Sequence, residues 1–201
     1  MTLVIFDFDG VIVDSEKEKF EVVRAILKKY HCSLTDADFN QFIGRKRSAF
    51  LKQKYPDINI PKVMQQIHGK DNHLRFEPVS GIKELLSFLK QRGAKICVAT
   101  GSERATVEMV LTRHRIVSYF DLLVTGTEIK ESKPDPAAFH KAMSAFPPTD
   151  VYIVEDSPAG IQAAKETEAT VIGFGTQNLE VDYSVSSHGE LRELFSRLLS
   201  I

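Results

Sequence analysis

Near its start the chain reads Leu3-Val4-Ile5-Phe6-Asp7-Phe8-Asp9-Gly10-Val11, an apolar run that ends in two aspartates one residue apart. A short run rich in β-branched and aromatic residues predicts a buried strand, as in a sheet covered on both faces. Because an unpaired charge is costly to bury, we expect Asp7 and Asp9 at the carboxyl end of this strand, where open α/β sheets place their ligands. Gly10 allows a sharp turn there. The two carboxylates therefore indicate a site for a hard cation and for acid/base chemistry.

The same residues have a simpler interpretation, because turn-forming aspartates can also end a strand. The turn leaves open whether Asp9 points to the same side of the sheet as Asp7. Three further polar motifs follow downstream at the ends of predicted strands. It is their combination that favours a functional site.

The composition is that of an ordinary globular chain of 201 residues, with 43% hydrophobic residues, 26% charged residues and a formal net charge of −1. Such a charge argues against a partner that is nucleic acid or an anionic membrane surface. No apolar stretch approaches the ~20 residues that span a bilayer, and we find no signal-peptide pattern. Cys32 and Cys97 lie far apart without a CxxC pattern, which fits reduced thiols. The sequence therefore predicts a cytoplasmic protein.

Predicted strands alternate with predicted helices in the downstream two-thirds of the chain. Apolar strands are expected at residues 94–100, 121–125, 151–154 and 170–173, and helices at 82–91, 104–114, 136–145, 159–168 and 190–199. This alternation implies βαβ crossovers. The predicted fold class is α/β, a doubly wound Rossmann-like parallel sheet.

Residues 15–78 interrupt the alternation. Apolar residues such as Phe20 and Val23 recur there at helical spacing, and strand-like alternation is not apparent. The segment predicts a small helical cap domain, residues 15–78, inserted into an α/β core made of residues 1–14 and 79–201. A cleft between two such domains is a common ligand site.

Three polar motifs follow the later predicted strands. Thr100-Gly101-Ser102 can hold a phosphate through a hydroxyl, backbone N–H groups and the start of a helix, although Ser102 alone also fits a simple N-cap. Lys133 precedes a proline and so lies in an extended segment that can place a cation beside clustered aspartates; an isolated lysine there is most often solvated. Glu155-Asp156 would supply further oxygen ligands for Mg²⁺. Each motif is weak alone, and their common order makes a strong signal.

With these motifs the chain resembles a phosphohydrolase of the haloacid dehalogenase superfamily. Four patterns carry the resemblance: Asp7-x-Asp9-Gly10-Val11, Thr100-Gly101-Ser102, Lys133-Pro134-x-Pro136 and Glu155-Asp156-Ser157-x-x-Gly160. The helical insertion is similar to the cap of the β-phosphoglucomutase-like branch. The resemblance extends over nearly the whole chain and is much less specific for the substrate than for the superfamily.

The resemblance implies a mechanism in which Asp7 attacks phosphorus and becomes an aspartyl-phosphate. Asp9 would protonate the leaving oxygen and then activate water. It also implies that Mg²⁺ is held by Asp7, the Asp9 carbonyl and Asp156, with Glu155 bound directly or through water. The residues that it assigns to the phosphoryl oxygens are Lys133, Thr100 and the amides of Gly101 and Ser102.

In the cap the resemblance favours hydrolysis over phosphoryl migration. Mutases of this branch carry a histidine and a lysine at the positions of Lys19 and Ile43, and isoleucine cannot bind an anion. Arg47 stands where the branch has an arginine that contacts phosphate, and an arginine can select an anionic substrate through bidentate contacts. Arg47 and Lys19 are therefore the predicted substrate-binding residues of the cap.

The first hypothesis is thus a Mg²⁺-dependent phosphatase that acts on a small phosphorylated metabolite such as a sugar phosphate. A sugar-phosphate mutase of the same branch and a non-catalytic phosphate-sensing module are the alternatives. An idle module predicts the decay of at least one catalytic position, yet all of them are present. The expected partner is the small metabolite, with no nucleic acid and no membrane, and we expect a monomer.

Overall fold

The protein is described by a computed structural model that covers residues 1–42, 47–71, 76–147, 150–176 and 179–199. The chain divides into two compact units. The larger consists of Met1–Val13 and Pro78–Ile201, and the smaller of Asp14–Glu77. None of the helices in the described ranges is long and apolar enough to cross a membrane.

The larger unit is built on a parallel six-stranded sheet. Its strands are β1 (Thr2–Phe6), β4 (Lys95–Ala99), β5 (Leu122–Val124), β6 (Asp150–Glu155), β7 (Thr170–Phe174) and β8 (Tyr183–Val185). Across the sheet their order is β5-β4-β1-β6-β7-β8. In the register of the central strands, Phe6 lies opposite Val98 on one side and Val154 on the other. The three strands therefore end at the same edge of the sheet.

Helices cover both faces of this sheet, which confirms the predicted doubly wound α/β class. They are α5 (Ile82–Gln91), α6 (Arg104–Arg113), α7 (Ala137–Ala145), α8 (Pro158–Lys165) and α9 (His188–Leu198). Leu3 and Ile5 of β1 pack in one core with Phe139 of α7 and Ile161 of α8. On the opposite face, the ring of Tyr152 meets that of Phe195 of α9 edge to face at 5.4 Å.

The sequence did not predict β8. This strand has three residues, two of them exposed, and Ser184 at its centre pairs with Gly173. So short a segment shows no alternation, and only the edge of β7 gives it a partner. One helix also begins earlier than expected, at His188, because Ser187 caps it through its side chain.

The smaller unit is helical. Its helices are α1 (Glu16–Leu27), α2 (Phe39–Phe42), α3 (Arg47–Lys54) and α4 (Ile60–Asp71). The aromatic rings of Phe20, Phe42 and Phe50 meet edge to face at 5.2 and 5.4 Å in its core. The chain enters and leaves this unit through β2 (Val13–Asp14) and β3 (Glu77–Pro78), two-residue strands that pair with each other. Ile43, which entered the comparison with mutases, lies outside the described residues.

Candidate active site

The site lies where β1 and β6 end side by side. Asp7 directly follows β1, and its N–H donates to the carbonyl of Val154 at 2.9 Å, which continues the parallel pairing by one residue. Glu155 is the last residue of β6 and is fully buried, while the Asp7 side chain is nearly so. The parallel register thus places an aspartate from the first strand beside Glu155 and Asp156.

Three carboxylates meet at this edge. One oxygen each from Asp7, Glu155 and Asp156 lies within 4.8 Å of the others. Burial, with the charges of Glu155 and Asp9, raises the pKa of the Asp7 carboxyl to about 7, although Lys133 lowers it. Burial, with the charges of Asp7 and Glu155, raises the pKa of Asp156 to about 8. The cluster therefore holds negative charge poorly by itself, and hard oxygen ligands of this kind suit a divalent cation such as Mg²⁺.

Lys133 joins the cluster from the loop before α7. Its Nζ donates to Asp7 Oδ1 at 2.5 Å, to Glu155 Oε1, and to the carbonyl of Ala99 at 3.0 Å. Burial would lower the pKa of this ammonium group, but the charges of Asp7 and Glu155 outweigh burial and raise it. Lys133 is therefore a charged, oriented cation beside the carboxylate that was predicted to be the nucleophile.

Two glycines make room for the carboxylates. A Cβ at Gly10 would overlap the Asp156 carboxylate, and a Cβ at Gly160, in the first turn of α8, would overlap that of Glu155. Gly10 also has φ +80°, a left-handed conformation that favours glycine. The sequence predicts Gly10 as a turn residue, and Gly160 occurs in the fourth motif without a predicted role. The spacing Glu155-x-x-x-x-Gly160 was the available signal.

Glu155 is held from two sides. Its Oε2 accepts hydrogen bonds from the N–H and the hydroxyl of Ser157, each at 3.0 Å, while Oε1 faces Lys133. Ser157 therefore fixes Glu155 and also caps α8, since its hydroxyl accepts from the N–H of Gly160 at 3.0 Å. The start of a helix at Ser157-Pro158 is a feature of the fourth motif, but the bonds from Ser157 to Glu155 could not be predicted from it.

Asp9 faces the loop that follows β4. The hydroxyl of Ser102 donates to Asp9 Oδ2 at 2.6 Å, and the N–H of Ser102 donates to Thr100 Oγ1 at 3.1 Å. Thr100 is buried, and its N–H donates to the carbonyl of Val124 at 3.0 Å. The structure thus brings the loop 100–102 next to Asp9. The three clustered carboxylates come from other residues, and the predicted magnesium set uses the Asp9 carbonyl rather than its side chain.

Lys19 and Arg47 belong to the smaller unit. Lys19 lies on α1, where its Nζ is 3.4 Å from Glu16 Oε1 and 5.9 Å from the ring centroid of Phe76. Arg47 is the first residue of α3. Their contact with a substrate stays a prediction.

Comparison with known proteins identifies relatives that match most of the chain. Residues 4–174 match a family described as haloacid dehalogenase-like hydrolase. A phosphorylated carbohydrates phosphatase from Thermotoga maritima is 28% identical over 174 residues, which cover 82% of this chain and 81% of that protein. A β-phosphoglucomutase from Bacillus subtilis is 30% identical over 193 residues, with coverage of 87% and 84%.

The fold has a solved counterpart at low sequence identity. A crystal structure from Geobacter sulfurreducens, described as a HAD-superfamily hydrolase of subfamily IA, superposes with a TM-score of 0.81. The two chains share 22% identity, and the superposition covers 96% of each. This likeness supports the architecture independently of sequence. The resemblance drawn from the four motifs is confirmed.

Proposed function

The chain belongs to the haloacid dehalogenase-like hydrolase family, and we propose that it is a Mg²⁺-dependent phosphatase that hydrolyses a small phosphomonoester through an aspartyl-phosphate on Asp7. The observation that carries the proposal is the meeting of Asp7, Glu155 and Asp156 with the Nζ of Lys133. A carboxylate that attacks a dianionic ester needs positive charge nearby to offset the repulsion between the two anions. Lys133 supplies one such charge, and the three carboxylates can hold a metal ion that supplies the other.

The donor set fits Mg²⁺. Hard carboxylate oxygens come from two neighbouring strand ends. The pKa values of Asp7 and Asp156 are raised first by burial and then by the charges of neighbouring carboxylates, and a divalent ion would offset both effects. Asp7, the Asp9 carbonyl and Asp156 would hold the ion, with Glu155 close by. When bound, Mg²⁺ shields the nucleophile from the anionic substrate and stabilises charge on the transferring group.

Asp7 forms and breaks the bond to phosphorus, and Asp9 transfers the protons. The Asp7 carboxylate forms a bond to phosphorus while the ester oxygen leaves with a proton from Asp9. Asp9 next takes a proton from water, whose oxygen bonds to phosphorus as the bond to Asp7 breaks. Lys133 and Thr100 orient the phosphoryl oxygens, helped by the amides of the loop 100–102.

The class of substrate follows from the relatives. One is named for phosphorylated carbohydrates and one for a phosphoglucose, so we propose a phosphorylated small metabolite, with sugar phosphates tested first. Because one relative is a mutase, a mutase reaction is the alternative. The resemblance leads us to expect a histidine and a lysine in the cap of a mutase, and this chain has Lys19 and Ile43 at those positions. A non-catalytic module would not need the complete catalytic set. We further propose a cytoplasmic monomer, in keeping with two free cysteines.

Phosphate release from a panel of phosphomonoesters, with Mg²⁺ or with EDTA, tests the proposal. We expect metal-dependent turnover in the natural protein and its loss, by at least about 10³-fold, in Asp7→Asn, because an amide cannot act as the nucleophile. Asp57→Asn is the matched control, since Asp57 is exposed on the smaller unit. An isomerised ester without free phosphate would favour the mutase, and Asp7→Asn as active as the natural protein would refute the mechanism.

A further inference from the structure

The loop that follows β4 rests on the loop that follows β5. The N–H of Gly126 donates to the carbonyl of Ser102 at 2.9 Å. A Cβ at Gly126 would overlap the carbonyl oxygen of Gly101, so only glycine permits this approach. Together with the hydrogen bond from Thr100 N–H to Val124, these contacts make the loop 125–128 the support of the loop 100–102.

The supporting loop is itself held by a carboxylate. Glu128 Oε2 accepts hydrogen bonds from Thr125 N–H at 2.7 Å and from the Thr125 hydroxyl at 2.8 Å, and Thr125 is fully buried. Glu128 Oε1 accepts from Nε of Arg104. Burial would raise the pKa of Glu128, but the bonds from Arg104 and Thr125 lower it to about 2. The carboxylate is therefore ionised and fixed at neutral pH.

Arg104 connects this carboxylate to the first turn of α6, directly after the loop 100–102. Its Nη2 donates to the carbonyl of Leu123 at 2.7 Å, its Nη1 to Glu108 at 2.8 Å, and its backbone N–H to Thr127 at 3.2 Å. A cation at a helix N-terminus opposes the helix dipole. An arginine at this position is explained instead by its bonds, which tie the start of α6, directly after the loop 100–102, to Leu123 of β5 and to the loop 125–128.

We propose that Arg104 and Glu128 are positioning residues that lock the two loops together and so hold the loop 100–102 in the geometry that binds the phosphoryl group. This rests on the proposed function, because it takes that loop as the phosphate site. Neither residue has to touch the substrate. The guanidinium N–H groups of Arg104 donate to Glu128, Glu108 and Leu123. Arg104 therefore acts on the phosphoryl group through the backbone amides and hydroxyls of the loop 100–102, whose position it fixes.

The competing interpretation is an ion pair that stabilises the fold and nothing more. A matched pair exists at the opposite edge of the same two strands, where Asp121 accepts from Lys90 at 2.6 Å, from Lys95 at 3.0 Å and from Ile96 N–H at 2.9 Å. Asp121→Asn therefore removes the ion pairs that join Asp121, directly before β5, to Lys95 of β4 and Lys90 of α5, at the end of these strands opposite the loop 100–102. This control variant shows how a loss of stability alone changes the affinity for phosphate.

The experiment measures the affinity for inorganic phosphate in the presence of Mg²⁺ by titration calorimetry, alongside KM, kcat and the thermal midpoint. The variants are Arg104→Ala, Arg104→Lys, Glu128→Gln and the double variant Arg104→Ala/Glu128→Gln. Glu128→Gln keeps the shape of the side chain and guards against a variant that fails to fold. Binding of phosphate needs no turnover, so this readout is independent of the hydrolysis that the proposed function claims.

We expect Arg104→Ala and Glu128→Gln to weaken phosphate binding by about tenfold or more, because small displacements of a positioning group are costly at a site of this kind. The double variant should lose little beyond the worse single one, since the two residues act as one unit. Arg104→Lys should recover part of the loss. Asp121→Asn should lower the thermal midpoint while phosphate affinity stays within about twofold of the natural protein's.

Phosphate affinity that is unchanged in Arg104→Ala, or lowered equally in Asp121→Asn, would overturn the positioning role. A natural protein that binds no phosphate would overturn it too. A natural protein that binds phosphate but hydrolyses no ester would instead refute the proposed function, and the comparison of affinities would still decide the role of Arg104.

Discussion

Replacement of Gly10 by alanine separates two consequences of a single methyl group. Gly10 has φ +80°, and a Cβ there would overlap the Asp156 carboxylate. Gly93 has nearly the same backbone, with φ +73°, but a Cβ there would meet nothing within 4 Å. Gly10→Ala and Gly93→Ala therefore share the backbone strain, and only the first disturbs the carboxylate cluster.

The shared cost is that of an L-residue in the left-handed region, roughly 1–2 kcal/mol. In a domain of this size each kcal/mol lowers the thermal midpoint by about 2–4 °C, so both variants should melt about 2–8 °C below the natural protein. In Gly10→Ala the Asp156 carboxylate must also move away from its present place. Displacement of an oxygen ligand should weaken Mg²⁺ binding by about tenfold or more.

Thermal melts in EDTA measure the shared strain, and Mg²⁺ titrations followed by calorimetry measure the ligand displacement. Gly93→Ala should bind Mg²⁺ as the natural protein does, while Gly10→Ala should not. Equal Mg²⁺ affinity in the two variants would show that Asp156 does not serve the metal. A Gly93→Ala protein as stable as the natural one would show that the strain argument is wrong.

Two further predictions concern protonation. Asp7 and Asp156 have pKa values of about 7 and 8 in the folded protein against 3.8 as the ordinary value. The folded state thus retains protons that the unfolded state releases, so their contribution to the free energy of unfolding falls as pH rises from about 4 to about 8. Urea titrations in the presence of EDTA should show this fall, and saturating Mg²⁺ should reduce it. A free energy of unfolding that rises over this pH range in EDTA would contradict the prediction. Burial raises the pKa of the Cys97 thiol to about 12. A thiol reagent at pH 8 should therefore modify Cys32 in the native protein and both cysteines only after unfolding, with the modified residue located by peptide mapping. Rapid labelling of Cys97 in the native protein would refute the assigned burial.

The strand pattern of the larger unit was predictable because each strand carries its own signal. Residues 3–6 and 96–99 are apolar runs that predict strands without reference to any other segment. The helices between successive strands imply parallel pairing. The strand Tyr183–Val185 carries no such signal, since it is short and mostly exposed. Its formation depends on the edge of β7, which the local sequence does not describe.

The partners of the site residues could not be predicted in the same way. Lys133 and Asp7 are 126 residues apart, and Arg104 and Glu128 are 24 apart. The motifs suggested that Lys133 lies near the aspartates, but nothing in the pattern paired it with Glu155 as well. Nor did the pattern distinguish Arg104 from an ordinary charged residue at the start of a helix.

Apolar periodicity and short motifs are local properties of the chain, and they were enough to predict the α/β class, the family and the placement of carboxylates at the ends of strands. The convergence of the carboxylate oxygens depended instead on the packed fold. So did the binding of one Glu155 oxygen by Ser157 and of the other by Lys133, and the room that a missing Cβ leaves for a carboxylate. Those outcomes follow from the register of parallel strands and from the loops that it brings together, and they exist only once distant segments have packed.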